Sequence, residues 1–110
     1  MFDLTPYTAL YANNICYSDA YPYEIVRIIS AKTIEVREMD TERDPNWKPE
    51  IIPGGFSGHC TNQDEQRWTY KSNPERPVKR IRLNKRGWQD KYGSRFYLSN
   101  EPRRFHDYNF

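Results

Sequence analysis

Two segments in the first half of the chain have patterns of apolar and polar residues that are typical of β-strands, and the second alternates with a period of two. Residues 23–30 are rich in β-branched side chains, and after a small-residue turn Ile34 and Val36 alternate with Glu35 and Arg37. Successive side chains of a strand point to opposite faces, so this pattern predicts two strands with one buried face. Together they predict a β-hairpin, and residues 15–18 are expected to form a short strand that leads into it.

A second β region is predicted after the proline-containing segment 73–77. Residues 78–83 alternate in character, and turns at 84–87 and 93–94 separate them from the segments 88–92 and 95–98. Three short strands joined by tight turns form an antiparallel meander. Residues 51–52 are expected to be a short strand, and residues 67–70 fit a strand better than a helical turn.

The segment 40–50 is polar and contains Pro45 and Pro49, which predicts an exposed loop in which Trp47 is the unusual residue. No segment has the pattern of a capped amphipathic helix. The sequence therefore predicts a mainly β protein, with α+β as the alternative. We expect a small antiparallel sheet of hairpins with at most one short helix, and a single domain over residues 1–110.

Composition adds an expectation about assembly. Ile, Leu, Val and Phe together supply only 20 of 110 residues, whereas Tyr, Phe and Trp supply 17. A small chain with few aliphatic residues buries a modest core, so we expect an aromatic-rich core completed by homo-oligomerisation.

The sequence has no apolar run of membrane-spanning length and no signal segment, which predicts a cytoplasmic protein without a membrane partner.

The formal net charge of +2 conceals a strong asymmetry along the chain. Residues 1–40 sum to −3 and residues 41–75 to −2, whereas residues 76–110 carry ten basic and three acidic side chains, or +7. A basic third indicates a polyanionic partner: a nucleic acid, a phosphorylated small molecule or an acidic protein. The alternative is that these cations pair with the acidic first half, within one subunit or between two.

The densest set of candidate binding residues lies in the segment 54–68. Three glycines in five residues allow the backbone to approach a phosphate closely. Phe56 and Trp68 can stack on a base, while His59, Asn62 and Gln63 can hydrogen-bond to a base or a sugar. The alternative is a bent corner whose amides and His59 satisfy neighbouring backbone groups.

The C-terminal stretch 101–110 is the second candidate region. Arg103 and Arg104 can hold phosphate through paired hydrogen bonds, and Asp107 and Asn109 are further candidate ligand contacts. Its aromatic residues suggest a tail that packs, either on its own domain or on another subunit. An aromatic anchor without a binding role is the alternative, and one tail can serve both purposes.

Catalysis finds little support in the sequence. His59 and Cys60 are adjacent, so in a strand their side chains point to opposite faces, and no spacing typical of a metal site is present. We therefore expect no enzymatic activity, no cofactor and no metal. The two cysteines, Cys16 and Cys60, are either two reduced thiols or one disulfide, and the sequence leaves both open.

Three ordered motifs carry a resemblance over nearly the whole chain: CYSD at 16–19, GGFSGHCTNQDEQRW at 54–68 and RRFHDYNF at 103–110. They resemble a family of short phage and prophage proteins. The chain size, the β-rich first half and the basic aromatic C-terminus are similar to the phage anti-Thoeris sponge proteins.

This resemblance implies an oligomeric anti-defence sponge, either a dimer or a hexamer built from dimers, in the cytoplasm of the infected host. Such proteins sequester cyclic ADP-ribose isomers without cleaving them, and some also hold cyclic trinucleotides. The alternative is a phage inhibitor that uses its basic C-terminal third to bind a host defence protein or a nucleic acid. A small DNA- or RNA-binding β module is a third hypothesis.

Overall fold

The computed structural model describes residues 5–53 and 59–109. Within them, one turn of 3-10 helix covers Gln63–Glu65, and all other regular structure is β. The strands are β1 (Tyr11–Cys16), β2 (Asp19–Ser30), β3 (Thr33–Glu38), β4 (Asp40–Arg43), β5 (Ile51–Ile52), β6 (His59–Cys60), β7 (Trp68–Lys71), β8 (Val78–Asn84), β9 (Gly87–Gln89) and β10 (Arg95–Ser99). The predicted mainly β antiparallel fold is confirmed.

Six of these strands close into an antiparallel barrel in the order β1-β10-β9-β8-β3-β2. Strands that follow one another in the chain are neighbours in the barrel, except that residues 39–77 intervene between β3 and β8. Closure pairs the first strand with the last, since Tyr11 lies opposite Ser99 and Ile15 opposite Arg95. The six barrel strands therefore have no free edge on which another chain could pair.

The barrel interior combines small, aliphatic and aromatic side chains. Ala12, Ile34, Val36 and Ile81 are fully buried, and Trp88 and Phe96 complete the same cluster. Tyr23 closes over this cluster edge-on, with its ring centroid 5.1 Å from that of Phe96. The inward residues occupy alternate positions on each strand, as the period-two pattern predicts.

The described parts of the insertion between β3 and β8, residues 39–53 and 59–77, form two further strand pairs outside the barrel sheet. β4 pairs with β7, and β5 pairs with β6. The expectation of an exposed loop at 40–50 was wrong for Asp40–Arg43, which is a strand, and for Trp47, which is only 8% exposed; the rest of 44–50 is a mostly exposed loop. The pairing partner of β4 lies about 25 residues further along the chain, and the Trp47 ring packs 5.6 Å from that of Tyr108. Neither contact has a local sequence signal.

The predicted hairpin is confirmed as β2 and β3, and its far end extends past the buried core. Register shifts interrupt the pairing between Ile25 and Arg27 and again between Ile28 and Ser30. Beyond the first shift, Val26, Ile28 and Ile29 are each about 40% exposed. We call residues 26–33 the hairpin arm. These three apolar side chains of the hairpin arm are partly exposed to solvent.

The meander β8-β9-β10 is also confirmed, although β9 ends at Gln89, earlier than predicted. Asp90 stops it by ordering the following turn: its Oδ1 accepts hydrogen bonds from the amides of Tyr92 and Ser94. Its Oδ2 accepts one from Lys79 Nζ at 3.1 Å, and its side chain is 2% exposed. Burial alone would raise the pKa of this carboxyl, but the three hydrogen bonds outweigh it and the pKa lies below its usual range.

We expect Asp90 to stabilise the fold in a pH-dependent way. Because its pKa is lower when folded, its contribution is present above the ordinary aspartate value of 3.8 and is lost as the pH falls through the folded pKa. Asp90→Asn should cost about 1–3 kcal/mol at pH 7, since Lys79 loses its partner. Urea unfolding at several pH values measures this, with exposed Asp64→Asn as the control. A cost that persists unchanged in strong acid would contradict the assignment.

We also expect at least a dimer in solution, because the hairpin arm exposes Val26, Ile28 and Ile29. Light scattering at micromolar concentration measures the mass, and a 13.3 kDa particle would contradict the prediction. Ile29→Lys should shift the assembly towards monomer. Ile51→Lys, at a half-exposed isoleucine of β5, is the matched control and should leave the mass unchanged.

Candidate functional site

The segment 100–109, here called the tail, crosses the outside of the barrel and fastens the insertion to it. On the barrel side, Ala20 and Phe105 exchange two main-chain hydrogen bonds of 2.9 and 3.0 Å. Asn13, 5% exposed, donates from Nδ2 to the carbonyl of Glu101 and accepts at Oδ1 from the amide of Arg103, both at 3.0 Å. The tail therefore packs on its own chain.

On the insertion side, side-chain amides hold the tail by its main chain. Gln66 accepts at Oε1 from the amide of His106 and donates from Nε2 to the carbonyl of the same residue, both at 2.9 Å. Gln63 accepts from the amide of Tyr108, and Asn109 makes both an N–H and a carbonyl contact with the backbone of Cys60. The central motif and the C-terminal motif, about 40 residues apart in sequence, thus form one structure.

Several predicted binding residues are occupied by these structural contacts. Asn62 accepts a hydrogen bond from the amide of Glu50 and donates one to the carbonyl of Lys48, both at 2.8 Å. It therefore ties the chain just after β6 to the loop just before β5. Asp107 accepts from the amide of Asn109, and this hydrogen bond is the main reason that the pKa of its carboxyl lies below the usual range. For Asn62, Gln63, Asp107 and Asn109 the polar atoms in these contacts are committed to the fold.

Two predicted residues lie apart from the tail contacts or outside the described chain. His59 is exposed on β6, opposite Ile52. Phe56 lies outside the described residues, as does the rest of the glycine-rich segment 54–58.

A polar cleft of about 430 Å³ separates the tail from residues 64–70, and we call it the tail cleft. Three predicted site residues line it: Trp68, Arg103 and Arg104. The other lining residues were not predicted: Asn13, Asp64, Gln66, Tyr70, Ser99, Glu101, Pro102 and Phe105. Gln66, Trp68 and Tyr70 are spaced by two, so placing Trp68 on one face of a strand would have found the other two.

Arg104 is held in one orientation at the tail cleft. Its guanidinium stacks between the rings of Tyr21 and Trp68, with centroid distances of 4.6 and 4.9 Å. Its Nη1 donates to the carbonyls of Ala20 and Phe105. A guanidinium has five N–H donors, so the stacking and these two hydrogen bonds fix the group and leave further donors for another acceptor.

Arg103 is exposed beside it, with its guanidinium 5.5 Å from the ring centroid of Phe105. Within residues 5–53 and 59–109, no carboxylate lies within ion-pair distance of either arginine. Asp64 and Glu101 line the same cleft without pairing with them. The tail cleft therefore offers two arginines that make no ion pair with a described residue, next to aromatic rings and two acceptor carboxylates.

Most cations of the basic third, residues 76–110, likewise make no ion pair with a described residue. Of its ten cations, three have ion-pair partners among the described residues: Arg76 with Glu38 and Asp40, Lys79 with Asp90, and Arg80 with Glu35. The other seven make no ion pair in the part of the chain that the structure describes. Among the described residues, the acidic first half pairs with Arg76 and Arg80 only and so neutralises a minority of this charge.

The described chain contains no group of three His, Cys, Asp or Glu side chains that could hold a metal ion. Cys16 is exposed and Cys60 is buried, and both are free thiols, so the Cys16–Cys60 bridge is not formed.

Comparison with known proteins gives no relative from which a function could be transferred. No family model matches the chain, and neither curated proteins nor solved structures include a significant match. In residues 5–53 and 59–109, no helix has the length and apolar character needed to cross a membrane.

We expect Gln66→Glu to loosen the tail. The new carboxylate would face the carbonyls of Gln63 and His106, to which Nε2 now donates, and should cost about 1–3 kcal/mol. Urea unfolding at neutral pH measures this loss, and acidification should recover part of it because a protonated glutamate donates again. Asn46→Asp, in an exposed turn, controls for the added charge. Equal stability of Gln66→Glu and wild type would refute a fastening role.

Proposed function

We propose that the protein binds a small phosphorylated nucleotide in the tail cleft and sequesters it without chemical change. The observation that carries this proposal is the pair of guanidinium groups, Arg103 and Arg104, which lie beside Trp68 and Tyr70 and make no ion pair with any described residue. Together with the motifs described above, it supports a phage anti-defence sponge for cyclic nucleotide immune signals. The expected ligands are cyclic ADP-ribose isomers, with cyclic trinucleotides as the next candidates.

The arginines suit a phosphate better than another anion of equal charge. A guanidinium can donate two parallel, charge-assisted hydrogen bonds to phosphate oxygens, and a fixed guanidinium loses little freedom when it does so. Arg104 is already fixed by its two stacked rings, while Arg103 is exposed and can reach a bound group. One pre-oriented and one adjustable guanidinium fit a ligand with two phosphates.

The remaining lining of the cleft fits the uncharged parts of a nucleotide. The carboxylates of Asp64 and Glu101 can accept hydrogen bonds from ribose hydroxyls or an adenine amino group. The Tyr70 hydroxyl, which accepts from the amide of Arg104 at 2.9 Å, retains its own O–H as a donor. A volume of about 430 Å³ lies within the range that drug-sized ligands occupy, roughly 300–1,000 Å³.

We propose that the cleft retains its ligand without turnover. Its arginines, amides, rings and carboxylates bind and orient, and we propose no nucleophile or metal among them. A sponge needs affinity and copy number rather than catalysis, and an oligomer would supply several clefts per particle. We propose that it acts in the cytoplasm of the infected host.

The alternative partner is a host defence protein or a nucleic acid bound through the basic third. The observation that favours it is the set of cations outside the tail cleft that make no ion pair with the described residues: Arg82, Lys85, Arg86, Lys91 and Arg95. These residues lie on β8, on β10 and in the turns on either side of β9, and none of them lies in the tail.

Arg103→Ala should weaken binding of cyclic ADP-ribose isomers about ten- to a hundredfold, because one charge-assisted contact is worth roughly 1.5–3 kcal/mol. Arg103→Lys should be nearly as damaging, since it keeps the charge but loses the fork. Titration calorimetry measures both, with cyclic dinucleotides and trinucleotides as competing ligands. Arg67→Ala, an exposed arginine outside the cleft lining, is the matched control.

Arg104 requires a separate measurement, because its side chain also supports the fold. Arg104→Lys is expected to lower the free energy of unfolding as well as the affinity, since Nη1 holds two backbone carbonyls.

Sequestration predicts that bound ligand released by heating should return with its mass unchanged. Wild-type affinity in both Arg103 variants would refute the phosphate contact, and a cleaved ligand would refute sequestration.

A further inference from the structure

The outer face of the meander β8-β9-β10 carries a row of cations. On β8, Ile81 is buried and Arg80 and Arg82 are exposed, so the two arginines point outward. Pairing continues the row: Arg82 lies opposite Gln89 of β9, and Gln89 lies opposite Arg95 of β10. Arg82 and Arg95 are therefore two strand spacings apart, about 10 Å, on one face of the barrel.

This face is concave next to Arg82. A depression of about 620 Å³ is lined by Val78, Lys79, Arg80, Arg82, Asn84, Asp90, Lys91 and Tyr92. We call this depression, together with Gln89 and Arg95 on the adjoining strands, the basic groove. Tyr92 is 79% exposed in it, and Tyr97, outward on β10, is 54% exposed.

The charge of the basic groove is positive after its internal pairs are counted. Asp90 is buried and neutralised by Lys79, and Arg80 is neutralised by Glu35 at 3.2 Å. Arg82, Lys91 and Arg95 make no ion pair with any described residue. The turn between β8 and β9 adds the exposed Lys85 and Arg86 at one end.

Neutral groups hold the strands around Arg82 and Arg95, so these two cations are not needed for the geometry there. Gln89 accepts from Asn84 Nδ2 at 2.8 Å and donates to the carbonyl of Gly93 at 3.3 Å. Asn84 Oδ1 accepts from the amide of Arg86, and Gly87 takes the positive φ of 99° that the turn requires. Arg82 and Arg95 are thus free to be used by a ligand.

We propose that the basic groove binds single-stranded nucleic acid. Its cations are spread over about 10 Å, which suits a row of phosphates rather than one, and exposed tyrosine rings lie among them. Backbone-tracking cations combined with aromatic platforms are the features by which β-sheet surfaces hold single strands with little sequence preference. A duplex keeps its bases stacked inside, so it could not use Tyr92 or Tyr97. This site is separate from the tail cleft, and neither proposal depends on the other.

The test is fluorescence anisotropy with a labelled 12-nucleotide deoxythymidine oligomer over a range of salt concentrations. For three phosphate contacts, the logarithm of the binding constant should fall with the logarithm of salt concentration with a slope of about −2. The double variant Arg82→Gln with Arg95→Gln should reduce the slope by about 1.4 and weaken binding at least tenfold at low salt. Tyr92→Ala should weaken it about five- to a hundredfold.

The matched control is Lys48→Gln with Arg67→Gln, which removes the same charge from two exposed residues of the insertion. Equal weakening by the two double variants would overturn the proposal, because binding would then follow net charge alone. Absence of binding in low salt, or tighter binding of a duplex of the same length, would also overturn it. Arg82→Lys with Arg95→Lys should retain most of the affinity, since tracking a backbone needs a positive charge near each phosphate and not the two-pronged contact proposed for Arg103. A loss equal to that of the Gln variants would exclude this kind of backbone contact.

Arg103→Ala separates this inference from the proposed function. It should leave oligonucleotide binding unchanged while weakening the small nucleotide. The Arg82 and Arg95 variants should do the reverse. Loss of both activities in either variant would refute two independent sites.

Discussion

The reciprocal main-chain hydrogen bonds between Ala20 and Phe105 are the contact on which the candidate site depends. They fix the tail against the start of β2, and from that point Asn13 holds the tail on one side and Gln66 holds it on the other. Arg104, adjacent to the bridge, is thereby placed between a ring of the barrel, Tyr21, and a ring of the insertion, Trp68. The bridge thus places the tail opposite residues 64–70 as one wall of the tail cleft.

The positive charge left on the surface depends on which carboxylates are engaged in local contacts. The buried or half-buried carboxylates each serve a local purpose: Asp90 orders a turn and Glu24 pairs with Arg37 at 2.7 Å. Burial opposes ionisation of Glu24, but hydrogen bonds from Ser72 and Arg37 lower the pKa of its carboxyl. Most cations of the last third make no ion pair with any described residue, so they stay available to external anions.

The sequence predicted the elements whose signals are local. The hairpin of β2 and β3 was found from the alternation around Ile34 and Val36, and the meander from its turns. The pairing of β4 with β7 was missed because it joins two polar strands far apart in the chain. The burial of Trp47 was missed for the same reason, since Tyr108 covers it.

The site was predicted in part. Trp68, Arg103 and Arg104 were chosen for their chemistry, and the fold brings them to one cleft. Asn62, Gln63 and Asn109 were chosen on the same grounds, yet their amides hold backbone groups. An amide that binds a ligand and an amide that binds a neighbouring loop look identical in one sequence. Only the three-dimensional partner distinguishes them.

The closure of the barrel also constrains how the chain can fold as it is synthesised. β1 pairs on one side with β2, which follows at once, but its other partner is β10, the last strand of the barrel. At about 5–20 residues per second, several seconds of translation separate the two strands. Throughout that interval the outer edge of β1 has no partner, so the nascent chain carries an open edge that the finished barrel lacks. Final closure is therefore a late step, and the tail that builds the cleft can dock only after it.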